Sequence, residues 1–110
     1  MKQHIPKRGD IVWTDFDPEA GPEQKGKRPA LVLSPGPYNA KLLLALVAPI
    51  TSRVRGHAFE VPVQGQKVSG VVLCQQMKTL DCIDRGVSFV EEAPDHVVAD
   101  VLARVRTIIS

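Results

Sequence analysis

Arg28 and Thr51 are the residues whose types and positions best fit chemistry on a phosphate group. Arg28 stands immediately before an apolar run, where a strand would fix its backbone and leave its guanidinium facing a loop. A guanidinium is a planar fork that donates two parallel hydrogen bonds to phosphate. Thr51 follows Pro49 and Ile50 at the end of another apolar run and contributes a hydroxyl. If these strand ends are neighbours, both side chains can frame one phosphate.

RNA is the substrate that suits such a pair, because its 2′-hydroxyl is a nucleophile already present beside each phosphate. An enzyme that holds the phosphate and stabilises its developing charge then needs neither a metal nor a covalent intermediate. A plainer interpretation fits the same residues: Arg28 belongs to a solvated basic loop, and Thr51 is only a strand-end hydroxyl. The residues alone leave both interpretations open.

The sequence lacks the motifs that several other kinds of active site require. There is no P-loop, no G-x-G-x-x-G and no G-x-S-x-G, so nucleotide cofactors and acyl transfer have no signal. His4, His57 and His96 are scattered and are predicted to be surface histidines. Cys74 and Cys82 lack zinc-site spacing, which predicts no metal and no cofactor, and Cys74 is expected to be a buried small hydrophobe.

Length and charge bound the class of protein. The 110 residues fit one domain, residues 1–110, and the net charge of +2 alone says little about nucleic acid. The longest apolar run, residues 42–50, is about half of a membrane span, and no apolar stretch follows the charges at the start of the sequence. With two cysteines and no signal peptide, these features predict a cytoplasmic protein without a membrane partner.

The elements that must position Arg28 and Thr51 are mostly short strands. Pro18, Gly21, Pro22 and Gly26 predict a long loop over residues 17–28. A single helical turn is expected at 38–41, and Pro94 begins the one clear helix. Strands are predicted at 11–16, 29–33, 44–50, 58–63, 71–74 and 87–90, with 78–81 as strand or loop. This order indicates an α+β fold, a curved antiparallel sheet covered by a C-terminal helix.

Side-chain patterns add two expectations about packing. The stripe Val97, Val101, Val105 and Ile108 is predicted to be the buried face of the terminal helix. Trp13 is predicted to lie in the core. Phe16 borders the long loop, so it could pack in the core and also stack on a base.

Several blocks of the sequence are similar, in register from about residue 9 to residue 81, to the MazF/PemK family of toxin endoribonucleases. The match is best with the chromosomal MazF branch. The residues that carry it are Gly9–Trp13, Asp15–Pro18, Gly21, Glu23-Gln24, Gly26, Arg28–Pro35, Tyr38-Asn39, Pro49–Thr51, Gly70–Leu73, Gln76 and Lys78-Thr79.

The resemblance implies a small, SH3-like or barrel-like antiparallel sheet with a C-terminal helix, assembled as a homodimer. It implies cleavage of single-stranded mRNA at short motifs, leaving 2′,3′-cyclic phosphate and 5′-hydroxyl ends. It also implies a type II toxin–antitoxin system, in which a cognate MazE-like antitoxin blocks the RNA groove and supplies any contact with DNA. The apolar residues 42–46 are our candidate for part of the dimer interface.

By position, the resemblance implies that Arg28 binds the phosphate, stabilises its charge and helps proton transfer. It also implies that Thr51 orients the phosphate. Glu23 and Gln24 would shape the loop and contact RNA or antitoxin. The full set of residues expected to bind RNA is Phe16, Asp17, Glu23, Gln24, Lys25, Lys27, Asn39, Arg55, Gln76 and Lys78.

Leu73 and Gln75 depart from the family pattern, since the plasmid-borne branch has an Arg and an Asp there as catalytic groups. The amide of Gln75 cannot take a proton at neutral pH. An arginine is a poor general base because its ordinary pKa is above about 12. The proton acceptor therefore stays unassigned. Two alternatives stay open: a weakened nuclease, and a non-enzymatic toxin of the same fold that resembles a gyrase poison.

Overall fold

Seven strands and two helices build the part of the chain that the structure, a computed structural model, describes: residues 5–15, 28–83 and 86–110. The strands are β1 (Asp10–Thr14), β2 (Arg28–Val32), β3 (Leu44–Thr51), β4 (Glu60–Gln64), β5 (Ser69–Leu73), β6 (Lys78–Asp81) and β7 (Ser88–Glu92). The helices are α1 (Gly36–Leu42) and α2 (Asp95–Ile109), and a 3₁₀ turn spans Cys74–Gln76. Within these ranges, neither helix combines the length and apolarity needed to span a bilayer.

The strands form one antiparallel sheet in the order β4-β5-β3-β2-β1-β7, with β6 also paired to β3. β3 is the strand on which the sheet curls. Its first half, Leu44 to Val47, pairs with β6, and its last residues, Ile50 and Thr51, pair with β5. The predicted α+β class, a barrel-like curved antiparallel sheet with a C-terminal helix, is confirmed.

Two layers of buried side chains cover the two faces of the curled sheet. Alternation along β2 divides its residues, so that Leu31 joins one layer while Ala30 and Val32 join the other. Helix α2 packs on the first layer through Val97, Val101 and Val105, which are almost fully buried. Burial of each valine contributes roughly 1.5–3 kcal/mol relative to exposure.

Two packing predictions for large apolar residues were wrong. Ile108 is 39% exposed, because the last turn of α2 extends past the buried positions, which end at Val105. Trp13 is 37% exposed, because its end of β1 borders an open groove that Arg28 and Pro29 also line, whereas Ile11 on the same face of the strand is buried. This exposure leaves an indole beside Arg28.

Some strands and helices begin or end at residues other than those predicted, in one case because a side chain forms a hydrogen bond with the backbone. The strand predicted from residue 58 begins at Glu60, since the Ala58 carbonyl instead accepts a hydrogen bond from Arg104 of α2. The predicted turn at 38–41 extends to the two-turn helix α1, which ends at Leu43 in a left-handed conformation. The predicted loop over residues 17–28 lies outside the described residues, apart from Arg28.

Glu91 of β7 holds the turn between β4 and β5. Its carboxylate accepts the backbone N–H groups of Gln66, Lys67 and Val68 at 2.9–3.0 Å. Desolvation acts to raise the pKa of Glu91, but these hydrogen bonds outweigh it and the pKa is lowered. Gly65 permits the contact, since a Cβ there would lie 2.5 Å from a carboxylate oxygen of Glu91. The turn is therefore fixed on the side that faces Thr51.

Candidate active site

Arg28 and Thr51 lie side by side at the ends of β2 and β3. The strands pair with Ala30 opposite Pro49 and Leu31 opposite Ala48, and Arg28 and Thr51 lie two residues beyond the first of these pairs, at the same end of the sheet. Thr14 of β1 pairs with Arg28 from the other side. The two strand ends are therefore neighbours, which is the condition that the sequence left open.

Two grooves meet at this pair, since Arg28 and Thr51 contribute to both. The first, which we call the arginine groove, has a volume of about 290 Å³. The second, which we call the tryptophan groove, has a volume of about 360 Å³. A strand of RNA lying across both grooves would place one phosphate at the pair and the neighbouring nucleotides on either side.

The arginine groove is strongly cationic. Arg53 and Arg55 line it together with Arg28. Three guanidiniums at the wall of one groove favour a polyanionic ligand, because each releases condensed counterions on binding phosphate. The other residues that line this groove are Thr51, His57, Glu60, Leu73, Gln75 and Gln76.

The hydroxyl of Thr51 is oriented by its own backbone. Its Oγ1 accepts the backbone N–H of Arg53 at 3.1 Å, which leaves the hydroxyl hydrogen available for donation. Gly70 of β5 passes so close that a Cβ there would overlap the Thr51 carbonyl oxygen. A glycine at 70 thus allows β5 to support the backbone that carries this hydroxyl.

Glu60 folds the basic loop back over the groove. Its buried carboxylate accepts the backbone N–H of Gly56 at 2.7 Å and that of Arg55 at 3.0 Å. The hydrogen bond from Gly56 contributes most to lowering the pKa of Glu60, which therefore stays ionised at neutral pH. This contact holds Arg53 and Arg55 near Arg28 although they are distant in sequence.

The tryptophan groove provides a surface for a base. Trp13 and Pro29 lie opposite each other in the register of β1 and β2, and both line this groove with Arg28. Lys67 adds a cation from the turn that Glu91 holds. An exposed indole beside a phosphate site is suited to stacking on a nucleobase. Alternation in β1 does not predict this exposure, since Ile11 on the same face of the strand is buried.

The predicted RNA-binding residues separate into groups. Arg55 and Gln76 lie in the arginine groove as expected. Lys78 is exposed on β6, outside both grooves, where it pairs with Val47 in the sheet. The others, apart from Asn39, lie outside the described residues: Phe16, Asp17, Glu23, Gln24, Lys25 and Lys27.

Asn39 does not belong to the RNA-binding surface. Its side chain is fully buried, and its amide nitrogen donates to the carbonyls of Pro6 and Ser34. Its amide oxygen accepts the hydroxyl of Ser34. The prediction that Asn39 contacts RNA was wrong, because its amide instead forms hydrogen bonds with the backbone carbonyls of Pro6 and Ser34. A match to a short motif cannot distinguish this structural role from RNA binding.

The two residues that depart from the family pattern lie at the site itself. Leu73 and Gln75 both line the arginine groove. Beside Gln75 lies His57, whose Nε2 is 3.4 Å from the Gln75 side-chain amide nitrogen and 3.6 Å from Oε2 of Glu60. The sequence predicts that His57 is a surface histidine, and its side chain is exposed, but the surface on which it lies is the wall of the groove. In the sequence, the spacing of His57 to Glu60 was the only signal that could have indicated this position.

Metal-ligand clusters are absent from the described ranges, in which no three His, Cys, Asp or Glu side chains converge. Cys74 and Cys82 are both buried free thiols, and burial raises the pKa of each. Cys74 is therefore the small buried hydrophobe that its apolar run predicted.

Comparison with known proteins agrees with this geometry. The chain is 43% identical over 88 residues to the endoribonuclease toxin MazF of Escherichia coli K12, covering 80% of this chain and 79% of the relative. It superposes on MazF of Deinococcus radiodurans with a TM-score of 0.86 and 42% identity, covering 96% and 97% of the two chains. The MazE-MazF complex of Deinococcus radiodurans gives a TM-score of 0.84 at 37% identity, with 96% of each chain covered.

The curled sheet, the cationic groove and these relatives define an endoribonuclease toxin. The family model that matches residues 7–109 is that of the PemK-like, MazF-like toxins of type II toxin–antitoxin systems. The chain belongs to this family.

Proposed function

We propose that this chain cuts single-stranded mRNA at short sequence motifs by attack of the 2′-hydroxyl on the adjacent phosphate, without a metal. The observation that carries the proposal is that Arg28 and Thr51 both line the two grooves, at the place where the grooves meet. Inhibition of translation and growth would follow from the loss of intact mRNA in the cytoplasm.

Each group of the pair has a distinct task in this reaction. The guanidinium of Arg28 binds the non-bridging phosphate oxygens and stabilises the charge that grows on them in the transition state. The hydroxyl of Thr51, oriented by the Arg53 amide, donates to the same phosphate and fixes its position for in-line attack. The products are a 2′,3′-cyclic phosphate and a 5′-hydroxyl.

RNA recognition is proposed to use both grooves together with the segment before β2. Trp13 stacks on a base in the tryptophan groove, while Arg55 and Gln76 contact the strand in the arginine groove. The further contacts proposed from the resemblance are Phe16, Asp17, Glu23, Gln24, Lys25, Lys27 and Lys78.

An antitoxin is proposed as the natural inhibitor. MazF of Deinococcus radiodurans, which this chain resembles, is known in a complex with MazE. An acidic, MazE-like segment lying over Arg28, Arg53 and Arg55 would neutralise the same charges that bind RNA. Any contact of the assembly with DNA would come through the antitoxin. Addition of such a partner should block cleavage.

A homodimer is proposed from the apolar surface near α1. Leu42 and Leu43 are 46% and 38% exposed, and Ile83, 47% exposed, lies next to Cys82, whose N–H bonds the Leu43 carbonyl. Ala45, in the stretch first expected at the interface, is buried in the monomer instead. Sedimentation equilibrium tests the assembly, and a mass of one chain at micromolar concentration would contradict it.

The nuclease proposal is tested by incubating the purified protein with a long single-stranded RNA in excess chelator. Arg28→Ala should lower the rate by about 10²–10³-fold, the cost of removing one preorganised charge-stabilising group. Arg106→Ala, on the exposed side of α2, is the matched control and should cut like wild type. Cleavage that requires added Mg²⁺ would contradict the mechanism. Toxicity retained by Arg28→Ala would favour a non-enzymatic toxin.

A further inference from the structure

His57 stands at the wall of the arginine groove, where Arg28 and Thr51 also lie. The proposed reaction needs a group that accepts the 2′-hydroxyl proton, and the amide of Gln75 cannot do so. Nε2 of His57 lies 3.4 Å from the nitrogen of that amide, and an imidazole nitrogen with a lone pair can accept a proton. The groove therefore contains a proton-accepting side chain next to the residue that cannot act as one.

The Nε2 atom of the ring is the nitrogen that meets other residues of the groove. It lies 3.4 Å from the Gln75 amide nitrogen and 3.6 Å from Oε2 of Glu60. An amide nitrogen only donates, so in this contact Nε2 is the acceptor and the neutral ring carries its hydrogen on Nδ1; the other tautomer instead lets Nδ1 accept the Phe59 N–H. A lone pair on Nε2, beside a carboxylate that can pair with the imidazolium, suits a general base.

We propose that His57 is the general base of this nuclease, with Glu60 as its positioning residue. The proposal rests on the RNA cleavage proposed above. The 2′-hydroxyl replaces the Gln75 amide at Nε2 and transfers its proton there as the 2′-oxygen bonds to phosphorus. The bond from phosphorus to the 5′-oxygen breaks. That oxygen takes a proton from water, and the imidazolium returns its proton to the hydroxide formed.

Charges around the ring are compatible with this cycle. The ionised carboxylate of Glu60, 2% exposed, compensates the imidazolium that forms in the transition state. Arg28, Arg53 and Arg55 face the groove and neutralise the phosphate. From α2, Arg104 bonds the Ala58 carbonyl and pairs with Asp100, so the helix places a paired cation near His57.

The test uses single-turnover cleavage of an RNA that contains one cut site, in chelator, between pH 5 and pH 9. His57→Gln should cut about 10²–10⁴-fold more slowly and lose the rise of rate with pH that a general base would give the wild type. Its affinity for the same RNA carrying 2′-O-methyl groups should be unchanged. The matched control is His96→Gln, an exposed histidine of α2, which should keep the wild-type rate and pH profile.

A substrate with sulfur at the 5′-bridging position separates a base from an acid, because a thiolate leaves without a proton. The defect of His57→Gln should persist on this substrate. Restoration to the wild-type rate would make His57 the general acid and overturn the proposal. If wild type cuts RNA and His57→Gln cuts it with the same rate and pH profile, this inference alone is overturned. If the wild-type protein cuts no RNA, the proposed function is overturned as well.

Discussion

Thr51 shows at the scale of single residues how a side chain acquires a function from its neighbours. A strand-end threonine is ordinary, but here the backbone N–H of Arg53 donates to its hydroxyl oxygen, and Arg28 lines the same two grooves. The hydroxyl hydrogen is available to donate to a ligand in these grooves. In the proposed reaction, charge stabilisation and orientation are separate tasks carried by two adjacent strands.

Replacing Thr51 tests the orienting task. Thr51→Val keeps the shape and removes the hydroxyl, so the single-turnover rate should fall about 10²-fold, the cost of one lost donor to the developing charge. Thr51→Ser restores the donor and should recover most of the rate. The control is Thr107→Val on the exposed side of α2, where only a hydrogen bond to the Ala103 carbonyl is lost. A Thr51→Val enzyme that cuts at the wild-type rate would remove Thr51 from the mechanism.

Glu91 shows at the scale of elements how one side chain can organise a turn. Three consecutive N–H groups between β4 and β5 point at its carboxylate, and Gly65 leaves the space that the carboxylate needs. Lys67 in this turn reaches the tryptophan groove, so the contact connects the edge of the sheet to the site.

The acid stability of the protein should depend on Glu91. Because its pKa is lower in the folded chain than in the unfolded chain, its stabilisation is present above the ordinary glutamate pKa of about 4.3. That stabilisation is lost as the pH falls through the folded-state value. Glu91→Gln should cost about 1–2 kcal/mol near pH 7, the worth of hydrogen bonds to a charged acceptor.

Thermal unfolding of both proteins from pH 7 to pH 3 measures this effect. The gap between the melting temperatures of wild type and Glu91→Gln should narrow toward pH 3. The neighbouring Glu92→Gln is the matched control, since Glu92 makes only an exposed pair with Lys7 and should change little. A difference in melting temperature that stays constant with pH would mean that Glu91 stabilises the protein through packing rather than through its charge.

At the scale of the whole molecule, local patterns predicted the strands and the terminal helix, and they placed Arg28 and Thr51 at strand ends without showing that these ends are neighbours. The period of hydrophobic residues, two in a strand and about 3.6 in a helix, indicates which side of an element is buried. In β2, for example, alternate residues enter the two different buried layers. The failures depend on distant contacts. His57 reaches the groove because Glu60 folds the loop back, and Asn39 is buried because the Pro6 carbonyl accepts its amide.

In the proposed reaction, the 2′-hydroxyl next to the phosphate held by Arg28 and Thr51 is the nucleophile. The most direct test maps the ends of an RNA cut in chelator, then repeats the reaction with a single 2′-deoxy nucleotide on the 5′ side of the cut. We expect cyclic phosphate and 5′-hydroxyl ends, and no cutting at the substituted linkage while other sites are still cut. Cleavage at the 2′-deoxy linkage, or products with 5′-phosphates, would contradict the account.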